Sequence, residues 1–538
     1  MAAVFIRSCL VLLLLSLTAC IAEPAERVQA DPPPESPLPE ESTEEEETGM
    51  EEDEEESPGD ELTGPPDGYD VTLYGLHVTP DPVTTHATFS VQFTAPVEAE
   101  LTYLWHFAGV TIGTGQSVEW THRGLPGIYE LRVEAADQYG LTYTADTLLE
   151  ISSPHPWPAY QRDAQHTGHL PFPGTATGAV GWEIDFLPYT TPLVGAGDIV
   201  YAMGATGYLD EEHYDFIEEE YGLAKIAPEG NLTWLNSSPL FGPANAMALS
   251  ADGRFYIAHR DGVTVLDLDG EILWSWEHEG DDAIRPSLVV APDGTVYAGP
   301  FDGALVALAH DSDTLLWSAS VGDYMRIPVI APDGTVVVAF AASFMYMSLG
   351  YQMHALLPGG QVRWEKELGQ PEGSFVYEGI DQPVLSGERI HADDTGTNSW
   401  GQTGVVKRVF SLDGDEVNKL GPGYYSGGPD QSSYIFYGGH FYVLDQAYDV
   451  VWGVSDIFHD SNGPLLSSAE GSAYFLSTQG LLKRLSADPS GGEFGVVDWT
   501  LQLPGGSLYQ DFFLNPALDS RGRLIGHDVL EGRLFMVE

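Results

Sequence analysis

PSLVVAPDGTVYAGPFDGALVALAHDSDTLLW, residues 286–317, has the pattern of four short β-strands in succession. The apolar run SLVV is followed by the turn PDG, in which proline fixes φ and glycine accepts a positive φ. The segments TVYAG, FDG, ALVALA, DSD and TLLW continue the alternation of strand and turn. Loops this short join neighbouring strands as an antiparallel meander. One such sheet cannot bury both of its faces, so the stretch predicts further copies of itself.

The tryptophan that closes this unit recurs along the chain. One expected position is missing, and Val417 or Asn418 stands there. A glycine four residues before several of these tryptophans indicates a hairpin turn that leads into the last strand. We predict that the tryptophans dock successive units: Trp182, Trp234, Trp274, Trp317, Trp364, Trp452 and Trp499.

A second mark gives the number of units. A proline, or once an asparagine, begins an apolar strand at Pro192, Asn245, Pro286, Pro328, Pro383, Pro429, Pro464 and Pro516. The unit that begins at Pro516 has three strands before Glu538, and the strand at Trp182 has no unit before it. Joining these two ends predicts a ring of eight four-stranded blades, an eight-bladed β-propeller. The alternative is an unclosed array of meanders.

The repeat resembles the pyrroloquinoline-quinone-like (PQQ-like) repeat that quinoprotein alcohol dehydrogenases and BamB-like assembly lipoproteins share. AKIAPEGNLTW (224–234) fits the Ala…Gly…Trp spacing of that family, and LDLDGEILW (266–274) is one residue shorter. WPAYQRDAQHTG (157–168) is similar to the lead-in of such propellers. The resemblance covers about residues 154–538 and implies the fold, whereas a fold does not by itself determine an activity.

The N-terminus has the pattern of a signal peptide over residues 1–19. Arg7 precedes an apolar core that is too short to span a bilayer, and Leu17-Thr18-Ala19-Cys20 follows. The last four residues resemble a bacterial lipobox, which implies lipidation of Cys20 and an anchored rather than membrane-spanning protein. The alternative is an ordinary secretory signal. Ile21 after the cysteine implies, by the same resemblance, sorting to the outer membrane.

Residues 20–68 form an acidic linker with almost no apolar content. From Glu23 to Asp67 there are 19 acids against Arg27, so we expect a disordered, extended tether rather than a binding tail. Residues 69–538 carry 43 of the 60 net negative charges. This charge disfavours nucleic acid and anionic lipid as partners.

Residues 69–153 predict a separate β-sandwich. Alternating strands occur at Ala87–Phe93, Leu101–Phe107, Ser117–Trp120, Gly127–Asp137 and Tyr143–Ser152. Tyr103-Leu-Trp105-His-Phe107 and Gly127-Ile-Tyr129 resemble a PKD or related Ig-like domain. We expect a spacer, with a glycan- or protein-binding module as the alternative.

Three long insertions follow the second strands of their blades: Gly204–Gly222, Phe340–Gln352 and Asp393–Gly404. Topology places all three at one end of the propeller, opposite the short first-to-second turns. Because binding residues concentrate on variable loops of a rigid scaffold, we predict an interaction face there. Its candidate residues are Tyr208, Tyr214, Phe216, Tyr221, Phe344, Met345, Tyr346, Met347 and Trp400.

No motif identifies a catalytic, cofactor or metal site. The histidines are scattered without HExxH spacing, no GxSxG nucleophile elbow stands out, and the run Asp267-Leu-Asp269-Gly270 lacks the glutamate of an EF-hand. Many quinoproteins that resemble this fold hold the cofactor against a vicinal cysteine disulfide, whereas this chain has only Cys9 and Cys20.

We therefore predict a non-catalytic lipoprotein of the bacterial cell envelope, a monomer without a cofactor, that binds an envelope protein through its propeller. By resemblance to the BamB-like proteins, its role would lie in envelope assembly. The alternatives are a divergent quinoprotein oxidoreductase and a glycan-binding surface protein.

Overall fold

The computed structural model places the described residues within one unit, residues 63–538. Cys20, the signal segment and nearly all of the acidic linker lie outside the described residues. The described residues are 65, 69–81, 83–94, 100–175, 177–210, 215–237, 244–280, 287–322, 324–344, 347–368, 383–397, 403–420, 424–427, 432–437, 440–455, 466–476, 481–490, 494–502, 516–528 and 532–538.

Residues 72–151 form two antiparallel sheets, which we call the N-terminal module. The first has the order β1 (Thr72–Thr79), β2 (His86–Thr94), β5 (Ser117–Thr121), and the second has the order β4 (Val110–Thr114), β3 (Thr102–Phe107), β6 (Gly127–Ala136), β7 (Thr142–Ile151). The sheets share one apolar core, in which the Phe107 and Trp120 rings lie 4.3 Å apart. Trp105 is fully buried and donates from Nε1 to the Gly115 carbonyl at 2.8 Å.

The described strands after residue 151 form eight further sheets, numbered here in chain order. Sheet 1 contains β10 (Leu187–Pro188), β11 (Leu193–Val194), β12 (Val200–Asp210), β13 (Asp215–Ile226) and β14 (Leu232–Asn236), and sheet 2 contains β15 (Ala244–Leu249), β16 (Arg254–His259), β17 (Gly262–Asp267) and β18 (Ile272–Glu277). Sheet 3 contains β19 (Ser287–Val290), β20 (Val296–Phe301), β21 (Ala304–Leu308) and β22 (Leu315–Ser320). Sheet 4 contains β23 (Tyr324–Met325), β24 (Val329–Ile330), β25 (Val336–Phe344), β26 (Met347–Leu356) and β27 (Val362–Leu368).

Sheets 5 to 8 continue the series. Sheet 5 contains β28 (Val384–Ser386), β29 (Arg389–Thr397), β30 (Thr403–Ser411) and β31 (Glu416–Leu420), and sheet 6 contains β32 (Tyr424–Gly427), β33 (Ser433–Tyr437), β34 (His440–Leu444) and β35 (Val450–Val454). Sheet 7 contains β36 (Leu466–Ser468), β37 (Ala473–Leu476), β38 (Leu481–Ala487) and β39 (Gly495–Gln502), with β8 (His169–Leu170) beside β36. Sheet 8 contains β40 (Ala517–Leu518), β41 (Leu524–Asp528), β42 (Arg533–Val537) and β9 (Val180–Asp185).

The two ends of the series meet as the sequence predicts. Strand β9 pairs antiparallel with β42, which places Trp182 opposite Met536. The first strands of neighbouring sheets also contact one another, since β11 touches both β15 and β40, and β32 touches both β28 and β36. The prediction of an all-β, β-propeller-like fold is confirmed.

Position within a sheet explains the two kinds of strand in residues 286–317. The first three strands of sheet 3 are buried along nearly their whole length because sheets pack against both of their faces, so they are apolar runs. Strand β22 alternates exposed and half-buried residues because it is the outer edge. Asp302 and Gly303 form the two-residue turn after β20, with φ of 50° and 71°.

Candidate functional site

The tryptophans of the outer strands contact the turn before the outer strand of the next sheet. Trp317 of sheet 3 donates from Nε1 to the Pro358 carbonyl at 2.8 Å, and Trp364 of sheet 4 donates to the Leu412 carbonyl at 2.8 Å. A Cβ at Gly360 would lie 2.6 Å from the Trp317 ring, so the turn needs a glycine there. Similar contacts join Trp182 to Pro228 and Gly230, Trp274 to His310, Trp452 to Gly495, and Trp499 to Gly178.

Two members of this arrangement differ. Trp234 contacts the Phe186 ring at 6.0 Å, while it is Leu235 that lies against Gly270. In sheet 5 the register pairs Asn418 with Val409, as Trp364 pairs with Ala355 in sheet 4, so Asn418 holds the tryptophan position. In the corresponding turn of sheet 6, Tyr448 occupies the position that is glycine in the other turns, and its φ is 66°. Tryptophan and glycine are therefore replaced together between sheets 5 and 6.

Residues 155–170, the lead-in segment, run along the first strands of six sheets. Trp157 exchanges backbone hydrogen bonds with Val194 of sheet 1. Further bonds join the segment to the first strands of sheets 2, 4, 5, 6 and 7, at Leu249, Ile330, Leu385, Ser426 and Ser467. A single segment can contact so many first strands only if it lies near the central axis around which the sheets are arranged. The lead-in segment therefore occupies the centre of the end that carries the first-to-second turns.

Lowering the pH from 7 to 5 is expected to destabilise the chain through the lead-in histidines. Burial lowers the pKa of His155 and His166 to about 4, and burial together with the Arg162 charge lowers that of His169 to about 3. Between these values and about 6.5 the unfolded chain binds protons that the native chain does not. The contribution of these histidines to the free energy of unfolding is therefore fully present above pH 6.5. It is lost as the pH falls, by about 1.4 kcal/mol per pH unit for each histidine.

Urea unfolding midpoints at pH 7.5, 6 and 5 test this expectation. Replacing His166 by asparagine is expected to reduce the pH slope, whereas the same change at the exposed His86 should leave the midpoint at pH 7.5 unchanged. A wild-type midpoint that does not change between pH 7.5 and 5 would contradict it.

The N-terminal module is fixed to the same end. Backbone hydrogen bonds run from the Arg123 amide to the Pro292 carbonyl at 3.0 Å and from the Ala251 amide to the Gly124 carbonyl at 3.1 Å. The Glu130 amide donates to Pro332 at 2.8 Å. These partners lie in or beside the first-to-second turns of sheets 2 to 4, and one apolar cluster continues from the module into these sheets.

The three insertions are mostly β-ribbons rather than the loops that the sequence suggested. In sheet 1 the two middle strands stay paired past Ala205, from Thr206↔Glu220 to Asp210↔Asp215. In sheet 5 they continue to Thr397↔Thr403, and in sheet 4 to Phe344↔Met347. At roughly 3.4 Å per residue the sheet 1 ribbon extends about 17 Å beyond its flanking strands. All three ribbons join second to third strands, so they lie at the end opposite the module.

The structure places the candidate residues of the interaction face as follows. Tyr208 lies opposite Ile217, and Phe216 lies opposite Leu209, within the sheet 1 ribbon. Phe344 and Met347 oppose each other in the sheet 4 ribbon. Tyr221 packs against Tyr189 on its own sheet, with ring centroids 5.6 Å apart. Tyr214, Met345, Tyr346 and Trp400 lie outside the described residues.

The ribbons differ in charge. Residues 209–220 contain seven acids and no lysine or arginine, whereas residues 336–356 contain no charged side chain. In the sheet 1 ribbon Asp210 lies directly opposite Asp215, and like charges in such a pair destabilise it. The ribbon-bearing end thus combines an acidic element with an uncharged one.

Sequence reasoning missed a cluster between sheets 5 and 6. It consists of Arg389, His391 and Lys407 on sheet 5 with Tyr425 and Tyr448 on sheet 6. The Lys407 Nζ lies 4.9 Å from the Tyr425 ring centroid, and the Arg389 guanidinium lies 5.0 Å from that of Tyr448. No motif spacing marks these residues, because they meet only when two sheets pack.

Two features are absent from the described residues. No helix there is long and apolar enough to span a membrane. Across the same ranges, no group of three or more His, Cys, Asp and Glu side chains is arranged to hold a metal ion.

Comparison with known proteins supports the repeat. The PQQ_2 family model, described as outer membrane protein assembly factor BamB, matches residues 174–392. No curated protein matches the chain. Among solved structures, BamB from Moraxella catarrhalis is 14% identical, with a TM-score of 0.41, and the match covers 67% of this chain and 99% of that one.

A second solved structure is the quinohemoprotein alcohol dehydrogenase ADHIIG from Pseudomonas putida HK5. It is 12% identical, with a TM-score of 0.48, and the match covers 72% of this chain and 80% of that one. Virginiamycin B lyase from Staphylococcus aureus is 9% identical, with a TM-score of 0.38, and the match covers 66% and 98%. The strand order shows a β-propeller-like fold, and the family match shows that residues 174–392 are similar to PQQ-like repeats.

Proposed function

We propose that this chain is a non-catalytic lipoprotein of the cell envelope, anchored through Cys20, that holds another protein on an eight-bladed propeller. The observation that carries the proposal is the difference between the two ends of the propeller. The lead-in segment and the N-terminal module cover one end. The other end carries the three ribbons.

The ribbons suit a binding role for a physical reason. A two-stranded hairpin is marginally stable alone in water. The unpaired N–H and C=O groups along its edges can pair with a strand of another chain. In the described residues no third strand pairs with Thr206–Asp210 or with Thr395–Thr397. A bound protein would pair with, or pack against, these ribbon edges. The family match with BamB supports a role in envelope assembly, and the module would serve as an Ig-like spacer after the linker.

The described residues do not fit the quinone and calcium of the quinoproteins that the repeat resembles. The lead-in segment fills the centre of one end, and the described residues include no carboxylate cluster for the ion. Cys9 and Cys20 cannot provide a vicinal disulfide.

Site-specific photo-crosslinking in intact cells tests the proposal. A photoreactive phenylalanine analogue at Tyr208 or Phe216 is expected to give the same adduct with one envelope protein. The control position is Leu148, which is exposed on the module strand β7. Absence of adducts at both ribbon positions, or the same adduct at Leu148, would overturn the proposal.

Two further measurements address the anchor and the enzymatic alternative. Replacing Cys20 by alanine is expected to release the protein from the membrane fraction and to abolish incorporation of labelled fatty acid. Titration of the purified chain with pyrroloquinoline quinone and calcium is expected to show no saturable binding by calorimetry. One-to-one binding would replace the scaffold function with the oxidoreductase.

A further inference from the structure

The contact between sheets 5 and 6 holds a histidine with no hydrogen-bond partner. His391 is 1% exposed, and neither of its ring nitrogens has a partner. A neutral imidazole has one donor and one acceptor, and a buried donor or acceptor left unpaired destabilises the native state. Such a group calls for an unseen partner at that position.

The contact between sheets 2 and 3 provides an internal comparison. There, His310 is also buried, but both of its nitrogens are used. Nδ1 lies 2.7 Å from the Tyr256 hydroxyl, and Nε2 lies 2.9 Å from an Asp252 carboxylate oxygen. Burial of a histidine between two sheets does not, therefore, by itself leave the ring unpaired.

The charges around His391 are positive. Arg389 is half-buried and forms no ion pair, although the chain has 81 acids for 21 lysines and arginines. Other half-buried arginines between or within the sheets do pair with carboxylates: Arg254 with Asp311, Arg363 with Asp413, Arg408 with Glu416, Arg484 with Glu470 and Arg523 with Asp519. Lys407 is fully buried on the same side, and the register places Asp393 opposite it. Within the described residues, no carboxylate pairs with Arg389.

The side chains packed at this contact differ from those between other sheets. Asn418 and Tyr448 replace the tryptophan and glycine found between other sheets. The Tyr448 ring lies 6.0 Å from the His391 ring, and the Tyr425 ring lies 5.7 Å from it. Both tyrosines carry hydroxyl groups that can donate to an oxygen.

We propose that the cluster of Arg389, His391, Lys407, Tyr425 and Tyr448 binds a small oxyanion, either a carboxylate or an inorganic oxyanion. A metal cation is disfavoured because two positive side chains flank the imidazole. An oxyanion would accept the imidazole N–H and face the Arg389 guanidinium, and charge-assisted hydrogen bonds of this kind are the stronger ones. The proposal is independent of the protein-binding function proposed above.

Thermal unfolding of the complete mature chain tests the site. Sodium acetate, sodium phosphate and sodium chloride are compared at matched ionic strength. We expect the midpoint to rise with the logarithm of acetate or phosphate concentration but not with chloride, because a ligand that binds only the native state stabilises it by mass action. A response to acetate alone identifies a carboxylate site, and a response to phosphate alone identifies an inorganic oxyanion site.

Three variants make the result specific. Arg389→Gln and His391→Phe are expected to weaken the apparent affinity at least tenfold, and the phenylalanine variant also removes the unpaired nitrogens. Arg363→Gln changes an arginine of another contact and is expected to keep the response. The ¹⁵N shifts of the His391 ring should move on addition of the anion to wild type. The proposal is wrong if neither anion raises the midpoint, or if the first two variants respond as wild type does.

Discussion

Replacing Asp163 by alanine is expected to lower the free energy of unfolding by about 3–5 kcal/mol, the range for breaking a buried ion pair from one side. Asp163 is buried in the lead-in segment. One carboxylate oxygen accepts from the amides of Gln165 at 3.2 Å and Thr167 at 2.9 Å, and the other faces Arg162 at 3.4 Å. Alanine leaves two amides and a buried guanidinium without this acceptor.

Urea unfolding at pH 7.5 measures this change, with Asp163→Asn as the matched control. Asparagine keeps an oxygen for the two amides and removes only the charge, so its loss should be smaller than that of alanine. The exposed Asp185 provides a second control, since its replacement by alanine should change stability by less than about 0.5 kcal/mol. Equal stability of wild type and Asp163→Ala would show that the lead-in segment does not stabilise the sheets.

Replacing Gly124 by valine is expected to detach the N-terminal module from the sheets. A Cβ at this position would lie 1.8 Å from the Ala291 carbonyl oxygen, which is main chain and cannot rotate away. The clash displaces the segment whose backbone bonds join Arg123 to Pro292, Leu125 to Val290 and Gly124 to Ala251. Three such bonds at about 1 kcal/mol each give a loss of about 3 kcal/mol, beyond the loss of shared apolar packing.

Calorimetry and small-angle scattering measure the detachment. The variant should unfold in two transitions instead of one and should have a larger radius of gyration. Arg123→Ala is the neighbouring control, because it removes only an exposed 3.7 Å ion pair with Asp311 and should leave the module in place. A single transition at the wild-type temperature would show that the docking does not depend on Gly124.

The repeating part of the fold was predictable because its signals are local. In residues 286–317 the first two turns contain glycine, the third is the polar run DSD, and each strand has its own apolar run, so four strands follow from 32 residues. The pairing of Trp182 with the last sheet followed from the repeat alone. Strands β1 and β4 were missed, because each contains a glycine, and Gly75 interrupts the register of β1 at a φ of 67°.

What could not be predicted depends on contacts between distant segments. Nothing in WPAYQRDAQHTG shows that its amides and carbonyls bond to six different sheets, because backbone groups carry no sequence signal. The docking of the module rests on main-chain bonds for the same reason. The ribbons were mistaken for loops, although apolar residues on both sides of DEEHYD could have indicated a hairpin. Tyr448 at a glycine position was not recognised, because a tyrosine does not mark a turn.

The pairing of β9 with β42 has a consequence for the way the chain acquires its fold. The Thr177 hydroxyl donates to the Glu538 carbonyl, 361 residues later, and His169 meets Ser467 across 298 residues. At about 5–20 residues per second, synthesis of that interval takes roughly 20–70 s. Until β42 emerges, β9 has no strand to pair with, and the apolar first strands remain accessible to other chains. Contacts between residues so far apart slow folding, so the interval before closure is when this protein is most exposed to aggregation and most dependent on chaperones.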